Sequence, residues 1–171
     1  IGPSYARKYQ DRVASVILLS TAAFRTEEDE QKILNIISKI NNGGIEAVLP
    51  SLINRWFTEE FINNNQNIIS KRFKQVQDTP SKALLNVFKI YASTEMSSWL
   101  KEIKVPCLVM TGKNDLGCNP KINQQIASVL SNSRLEILNN LKHAIILEAP
   151  RLIGNKIKTF LKDVEYCSTL N

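Results

Sequence analysis

Residues 105–112 have the sequence VPCLVMTG, which is the strongest indication of the fold of this chain. Apolar residues follow one another in this stretch, without the alternation of apolar and polar residues expected of a strand that has one face in solvent. A glycine ends the stretch. The stretch VASVILL, residues 13–19, has the same character. Short continuous apolar runs of this kind are typical of parallel strands that are buried on both faces. We therefore predict two buried parallel strands here, with 13–19 as a central strand of the sheet.

Helical patterns fill most of the remaining sequence. Thr26 and the acids after it predict an N-cap, and Gly43-Gly44 predicts the end of the helix that begins there. Four amphipathic helical faces are expected between residues 26 and 91. Residues 120–130 and 150–164 predict two more helices, and 134–138 alternates like a strand nearer an edge. The order is strand, four helices, strand, helix, strand, helix.

This order predicts an α/β fold, in which a parallel sheet is flanked by helices and carries an inserted helical block. At 171 residues and 43% hydrophobic content, the chain is large enough for one globular domain with a core. A sheet of three strands that are apolar on both faces would have an apolar edge, and a domain that folds by itself should not expose such an edge. We expect further strands upstream of Ile1, so that this sequence is a piece of a longer protein.

Composition excludes several classes of function. The 22 Lys and Arg are scattered among 16 acids, and no nucleic-acid-binding motif accompanies the net charge of +6. Cys107, Cys118 and Cys167 form an odd set without CxxC spacing, which argues against a disulfide framework and a zinc site and favours a reducing, cytoplasmic location. The acids at 27–30 indicate a solvated helix start rather than a metal site. No apolar run approaches the roughly 18 residues of a membrane span.

Two residues with acid-base chemistry follow neighbouring predicted strands. Asp115 comes just after 105–112, and His143, the only histidine, comes just after 134–138. In a parallel sheet both fall on the rim where ligands bind, and there a carboxylate can orient an imidazole for proton transfer. The alternative is ordinary, since a lone histidine is often a surface or capping residue and an aspartate often serves a turn. Spacing alone leaves both interpretations open.

Three segments carry a resemblance to a known family. GKNDLGCNP, residues 112–120, resembles the Gly-x-x-Asp-x-x-x-x-Pro segment that holds the triad acid of the α/β-hydrolase superfamily. LKHAIILEAP, residues 141–150, is similar to the family's histidine segment. ARKYQDRVASVILLST, residues 6–21, resembles the stretch, often Tyr-Pro-Asp-Arg-Val, before the sixth strand, with Gln10 in place of the proline. RWFTEEF, residues 55–61, resembles a segment of 3-oxoadipate enol-lactonase-like members.

The resemblance implies the C-terminal part of an α/β-hydrolase. Residues 1–25 and 101–171 would belong to the core, and residues 26–100 would form the helical cap. Asp115 and His143 would be two members of a catalytic triad that needs no cofactor or metal and acts on a small ester or lactone substrate. Three aromatic residues would either wall the substrate pocket or form the core of the cap, namely Trp56, Phe57 and Phe61.

The nucleophile of the triad is not expected in this chain. Ser4 lies in a Gly-x-Ser-x-Ala sequence, but it has no strand before it and lies too close to residues 9–13 for the intervening helix. Cys118 is a poor alternative, because the acid loop should direct its thiol away from the attack position. The serine and the oxyanion hole would then belong to a missing N-terminal half of the fold. Two alternatives stay open, a non-catalytic receptor or binding scaffold and a stand-alone domain of another α/β class.

Overall fold

The computed structural model of the chain describes the backbone of residues 1–168 and the side chains of residues 1–165. Within these residues the chain divides into two compact units. The first, which we call the sheet unit, comprises Ile1–Phe24 and the chain from Met96 onward, and the second, the helical unit, comprises Arg25–Glu95. The side chain of Cys167 and the last three residues of the 101–171 segment lie outside the described residues.

A parallel sheet of three strands organises the sheet unit. Its strands are β1 (Val16–Leu19), β2 (Cys107–Gly112) and β3 (Ser133–Leu138), in the spatial order β1-β2-β3. The predicted α/β class, a parallel sheet flanked by helices, is confirmed. The central strand among the described residues is β2, however, whereas β1 lies at an edge. Apolar patterning reports burial of the two faces of a strand and does not report how many strands lie beside it.

Both faces of the sheet are covered by helices. Cys107 and Val109 of β2 pack on one face with α1 (Gly2–Lys8) and α7 (Pro120–Val129). Leu108 and Met110, which alternate with them, pack on the other face with α8 (Ile145–Glu148) and α9 (Pro150–Ser168). All six residues of β2 are buried. Because both faces of β2 are buried, its sequence is a continuous apolar run without alternation.

The helical unit contains five α-helices among its described residues, not the four that the sequence predicted. They are α2 (Glu27–Gly43), α3 (Leu49–Trp56), α4 (Glu59–Asn64), α5 (Gln66–Gln77) and α6 (Ser81–Ser93). The third predicted helix is broken at Asn65, whose backbone leaves the helical region and whose side-chain amide donates to the Phe61 carbonyl at 3.1 Å. Such side-chain bonds to the backbone compete with helix continuation, and apolar periodicity does not register them.

The predicted N-cap at Thr26 is confirmed. Its hydroxyl accepts a hydrogen bond from the Asp29 backbone N–H, and the Asp29 carboxylate accepts one from the Thr26 N–H, which forms a complete capping box. The pKa of Asp29 is lowered, chiefly by the hydrogen bond from the Thr26 backbone. The helix ends at Gly43, and Gly44 follows with φ +70°, a left-handed conformation that glycine adopts without strain. The acids at the start of α2 thus serve helix initiation.

The segment after Glu95 belongs with the sheet. Leu100 is fully buried and packs in the same cluster as Val16 and Val109, and a short 3-10 turn at Leu100–Glu102 leads into β2. The helical unit therefore ends at Glu95, several residues before the expected limit at 100. Apolar residues inside a helical segment and apolar residues just after it look alike in sequence.

Candidate active site

Asp115 lies in a tight loop that follows β2. The strand ends at Gly112, and the Asp115 N–H closes the turn on the Gly112 carbonyl at 3.1 Å. The Asp115 side chain is almost completely buried, and its Oδ1 accepts hydrogen bonds from the backbone N–H groups of Gly117 and Cys118, both at 2.9 Å. Two backbone donors on one oxygen fix the carboxylate and leave Oδ2 directed elsewhere.

Oδ2 of Asp115 meets the imidazole of His143. The distance from Oδ2 to His143 Nδ1 is 2.8 Å, and the imidazole keeps 37% of its surface exposed while the carboxylate keeps 1%. A carboxylate that accepts from Nδ1–H selects that tautomer and leaves the Nε2 lone pair able to take a proton. The rim of the sheet thus holds an imidazole that a buried carboxylate orients and that remains partly exposed.

The pKa of Asp115 reflects two opposing influences. Burial raises it, because the charged form is disfavoured away from water, but the hydrogen bond from His143, the imidazolium charge and the N–H groups of Cys118 and Gly117 together outweigh burial. The net pKa lies below its ordinary value. Asp115 is therefore ionised at neutral pH.

The loop that carries His143 is held from two sides. The hydroxyl of Ser20, at the end of β1, donates to the His143 carbonyl at 2.9 Å. The Glu148 carboxylate accepts from the Lys142 N–H at 2.8 Å. Ser20 itself has φ 45°, unusual for a residue with a side chain, and its N–H donates to the Met110 carbonyl at 2.8 Å. Three strand ends thus converge on the two loops.

Two buried side chains hold the Asp115 loop in place through hydrogen bonds. Thr111 donates to the Cys118 carbonyl at 2.7 Å, and the Asn123 amide donates to the same carbonyl at 2.7 Å. Both side chains are fully buried. The sequence patterns predicted no role for Thr111 or Asn123, nor for Ser20 and Glu148. The position of three of these residues in the sequence could have identified them. Ser20 and Thr111 lie at the carboxyl ends of strands, and Glu148 lies in the Glu-x-Pro sequence after the histidine.

Gly112 allows the two loops to approach each other. A Cβ atom at this position would lie 2.2 Å from the Lys142 carbonyl oxygen and 2.3 Å from that of Leu141. Both are backbone atoms of the His143 loop and cannot swing aside as a flexible side chain would. The glycine is therefore required by the short distance between the Asp115 loop and the His143 loop.

Replacing Gly112 by alanine is expected to displace the His143 loop and to lower the free energy of unfolding by about 1–3 kcal/mol. Gly154→Ala is the matched control, because a Cβ there meets no atom within 4 Å and Gly154 lies inside α9. This control should be neutral or stabilising by up to about 1 kcal/mol. Urea unfolding of both variants of the full-length protein, beside the full-length parent, measures the difference. Equal stability of Gly112→Ala and the parent would contradict the steric requirement.

Glu148→Ala is expected to loosen the His143 loop, and any turnover by the full-length protein that depends on this imidazole should fall by up to about 100-fold, because small displacements of a reacting group are costly. Glu148→Gln retains an oxygen that can accept from the Lys142 N–H and should keep most of that activity. Turnover by the two variants, compared at equal folded concentration, makes the measurement. Equal losses in both would mean that the charge of Glu148, not its hydrogen bond, is what matters.

Other residues that the sequence suggested as nucleophile or substrate-binding groups have different surroundings. Ser4 is exposed within α1 and is not on a strand-to-helix turn. Phe57 is fully buried and its ring stacks on Phe61 at 5.4 Å, whereas Trp56 and Phe61 are half-buried. The arrangement of Phe57 is that of a packing residue, and substrate binding by the three aromatic residues stays a prediction.

Cys118 is nearer to the Asp115–His143 pair than the sequence suggested. Its Sγ, a carboxylate oxygen of Asp115 and an imidazole nitrogen of His143 all lie within 4.8 Å of one another. The thiol is buried, so it is not presented to solvent as an attacking group would be.

Several known proteins resemble this chain in sequence or in fold. No family model matches the chain. The 3-oxoadipate enol-lactonase 1 of Acinetobacter baylyi is 21% identical over 126 residues, which cover 74% of the chain and 47% of that protein. The chain thus spans about half the length of this relative.

Solved structures cover more of the chain. The enol-lactonase from Burkholderia xenovorans LB400 superposes with a TM-score of 0.85 at 21% identity, over 94% of the chain and 61% of that structure. A thermophilic esterase from Thermogutta terrifontis gives 0.83 at 21% identity, over 95% of the chain and 60% of that structure. The chain has the α/β-hydrolase fold and corresponds to the C-terminal part of these relatives.

Proposed function

We propose that the full-length protein is a serine hydrolase that cleaves an ester, a lactone or a related small acyl compound, and that this chain supplies the base and its orienting acid. One observation carries the proposal, the 2.8 Å contact between His143 Nδ1 and Asp115 Oδ2, with the acid buried and the imidazole open. The relatives support the class of reaction, since their names describe a lactonase and an esterase.

The reaction would proceed in two halves. His143 Nε2 takes the proton of the serine hydroxyl while the serine oxygen attacks the substrate carbonyl, and Asp115 stabilises the imidazolium that forms. The imidazolium then gives its proton to the leaving alkoxide, and an acyl-enzyme remains. Water then attacks the acyl-enzyme while His143 accepts its proton. The imidazolium returns this proton to the serine oxygen, and the carboxylic acid is released. No cofactor is required by these steps.

The nucleophile is proposed to lie upstream of Ile1. A strand that ends in Gly-x-Ser-x-Gly would present the serine on a tight turn, with a backbone N–H of the following residue in the oxyanion hole. The open edge of β1 supports this arrangement, because among the described residues only its other edge is paired, with β2. An unpaired edge on an apolar strand is a site for a further strand. The N-terminal half of the fold would be the partner of this edge.

The test uses the full-length protein and short p-nitrophenyl esters. We expect the full-length protein to hydrolyse them and this chain alone to be inactive. A glycine or alanine in place of the upstream serine would favour the alternative, a non-catalytic receptor or binding scaffold. Cooperative unfolding of the isolated chain in a soluble, monomeric form would favour the third possibility, a stand-alone domain of another α/β class.

A cytoplasmic location is part of the proposal. No helix of the described residues combines the length and the apolar character needed to cross a membrane. Among the residues with described side chains, Cys107 and Cys118 are both outside disulfides, which agrees with a reducing compartment. Fractionation of cells that express the full-length protein would test the location.

A further inference from the structure

Three different metal-ligating groups meet beside the sheet rim. The Sγ of Cys118, a carboxylate oxygen of Asp115 and an imidazole nitrogen of His143 lie within 4.8 Å of one another. In a tetrahedral zinc site, bonds of roughly 2.0–2.3 Å place neighbouring ligand atoms about 3.3–3.8 Å apart. The three groups are therefore within small side-chain movements of a common cation. We propose that this cluster binds a thiophilic divalent cation of the Zn²⁺ class.

The cluster is held in place before any cation arrives. Asp115 Oδ1 is fixed by two backbone N–H groups at 2.9 Å, one of them from Cys118 itself. The Cys118 carbonyl is fixed by Thr111 and by Asn123, each at 2.7 Å. Ligands held by hydrogen bonds to the surrounding protein lose little freedom on binding. Two of the three ligands thus share one rigid loop.

Charge and exposure also suit such a cation. The Cys118 thiol gives up its proton to solvent on binding, so that thiolate and carboxylate together carry two negative charges that balance a divalent ion in a buried site. Cys118 and Asp115 are buried, whereas 37% of the imidazole surface is exposed, which leaves the approach and a fourth ligand position to water. A thiolate and an imidazole select Zn²⁺ or Co²⁺ over Mg²⁺ or Ca²⁺, which prefer oxygen ligands.

Cation binding and proton transfer would exclude each other, a consequence that rests on the proposed function. If Nδ1 binds the cation, the hydrogen bond to Asp115 is lost. If Nε2 binds it, the lone pair that accepts the serine proton is occupied. Either mode converts the oriented base into a metal ligand, and the cation would act as an inhibitor of ester hydrolysis.

The test is a titration of the metal-free full-length protein with Co²⁺, followed by optical absorption. Because Cys167 is a further thiol in the sequence, it is replaced by serine in every sample. We expect a near-ultraviolet thiolate-to-cobalt charge-transfer band that saturates with one equivalent and is bleached by Zn²⁺. The spectrum does not depend on activity, so it stands even if the protein hydrolyses no ester.

Variants identify the ligands. Cys118→Ala and Cys118→Ser should both lose the charge-transfer band, and His143→Ala should weaken Co²⁺ binding at least tenfold. Cys107→Ala is the matched control and should retain the band, since Cys107 is buried on β2 and burial raises the pKa of its thiol to about 11. Circular dichroism checks that each variant is folded, and the serine and histidine variants keep the test valid if Cys118→Ala is not. A band that persists without Cys118, or no band at millimolar Co²⁺, would overturn the proposal.

Discussion

Replacing His143 by alanine in the full-length protein is expected to lower kcat/KM for ester hydrolysis on the order of 10⁴-fold or more. The reason is that Asp115 orients the His143 imidazole at 2.8 Å, and alanine leaves no group there to accept the proton of the nucleophile. The protein should remain folded, because Asp115 Oδ1 keeps its hydrogen bonds from the Gly117 and Cys118 N–H groups when the imidazole is removed. Initial rates with p-nitrophenyl acetate, at equal concentrations of folded protein, give the measurement.

Lys121→Ala is the matched control for His143→Ala. Lys121 is an exposed cationic residue on α7, and its removal should change kcat/KM less than twofold. A His143→Ala protein that keeps near-normal turnover would refute the assignment of His143 as the base. It would leave the fold intact and place the base of the reaction on another residue of the full-length protein.

Asp115→Asn is expected to lower kcat on the order of 10⁴-fold with little change in KM, because an amide side chain reverses the hydrogen bond to His143. The amide N–H₂ would donate to Nδ1, and the imidazole would then carry its proton on Nε2, where it cannot accept one from a serine. The carbonyl oxygen of the new amide could still accept from Gly117 and Cys118, as Asp115 Oδ1 does. The shape of the loop should therefore survive while the tautomer changes.

Nitrogen chemical shifts of the His143 ring report the tautomer directly. The parent should show the Nδ1–H form at a pH where the imidazole is neutral, and Asp115→Asn should show the Nε2–H form. Asp163→Asn is the matched control, since Asp163 is 52% exposed and forms a surface ion pair with Arg134 at 2.7 Å. Exposed pairs of this kind contribute little. An unchanged tautomer in Asp115→Asn would show that Asp115 does not orient the ring.

The class of fold could be predicted from the sequence alone. Continuous apolar runs at 13–19 and 105–112 predict buried strands because burial on two faces removes the need for alternation, and helical spacing between strands predicts parallel order. The same order places Asp115 and His143 at neighbouring strand ends. Local signals of this kind, including the N-cap at Thr26, depend only on residues near one another in the chain, which is why they can be predicted from it.

Features that depend on distant segments could not be predicted without the three-dimensional structure. The close approach required at Gly112, the bond from Ser20 to the His143 carbonyl and the nearness of Cys118 to the imidazole join residues from separate loops. The edge position of β1 likewise follows from its strand neighbours, not from apolar periodicity. Hydrophobic patterns record how much each side chain is buried. Distances between functional atoms are set by how backbones pack, and no pattern in the sequence records them.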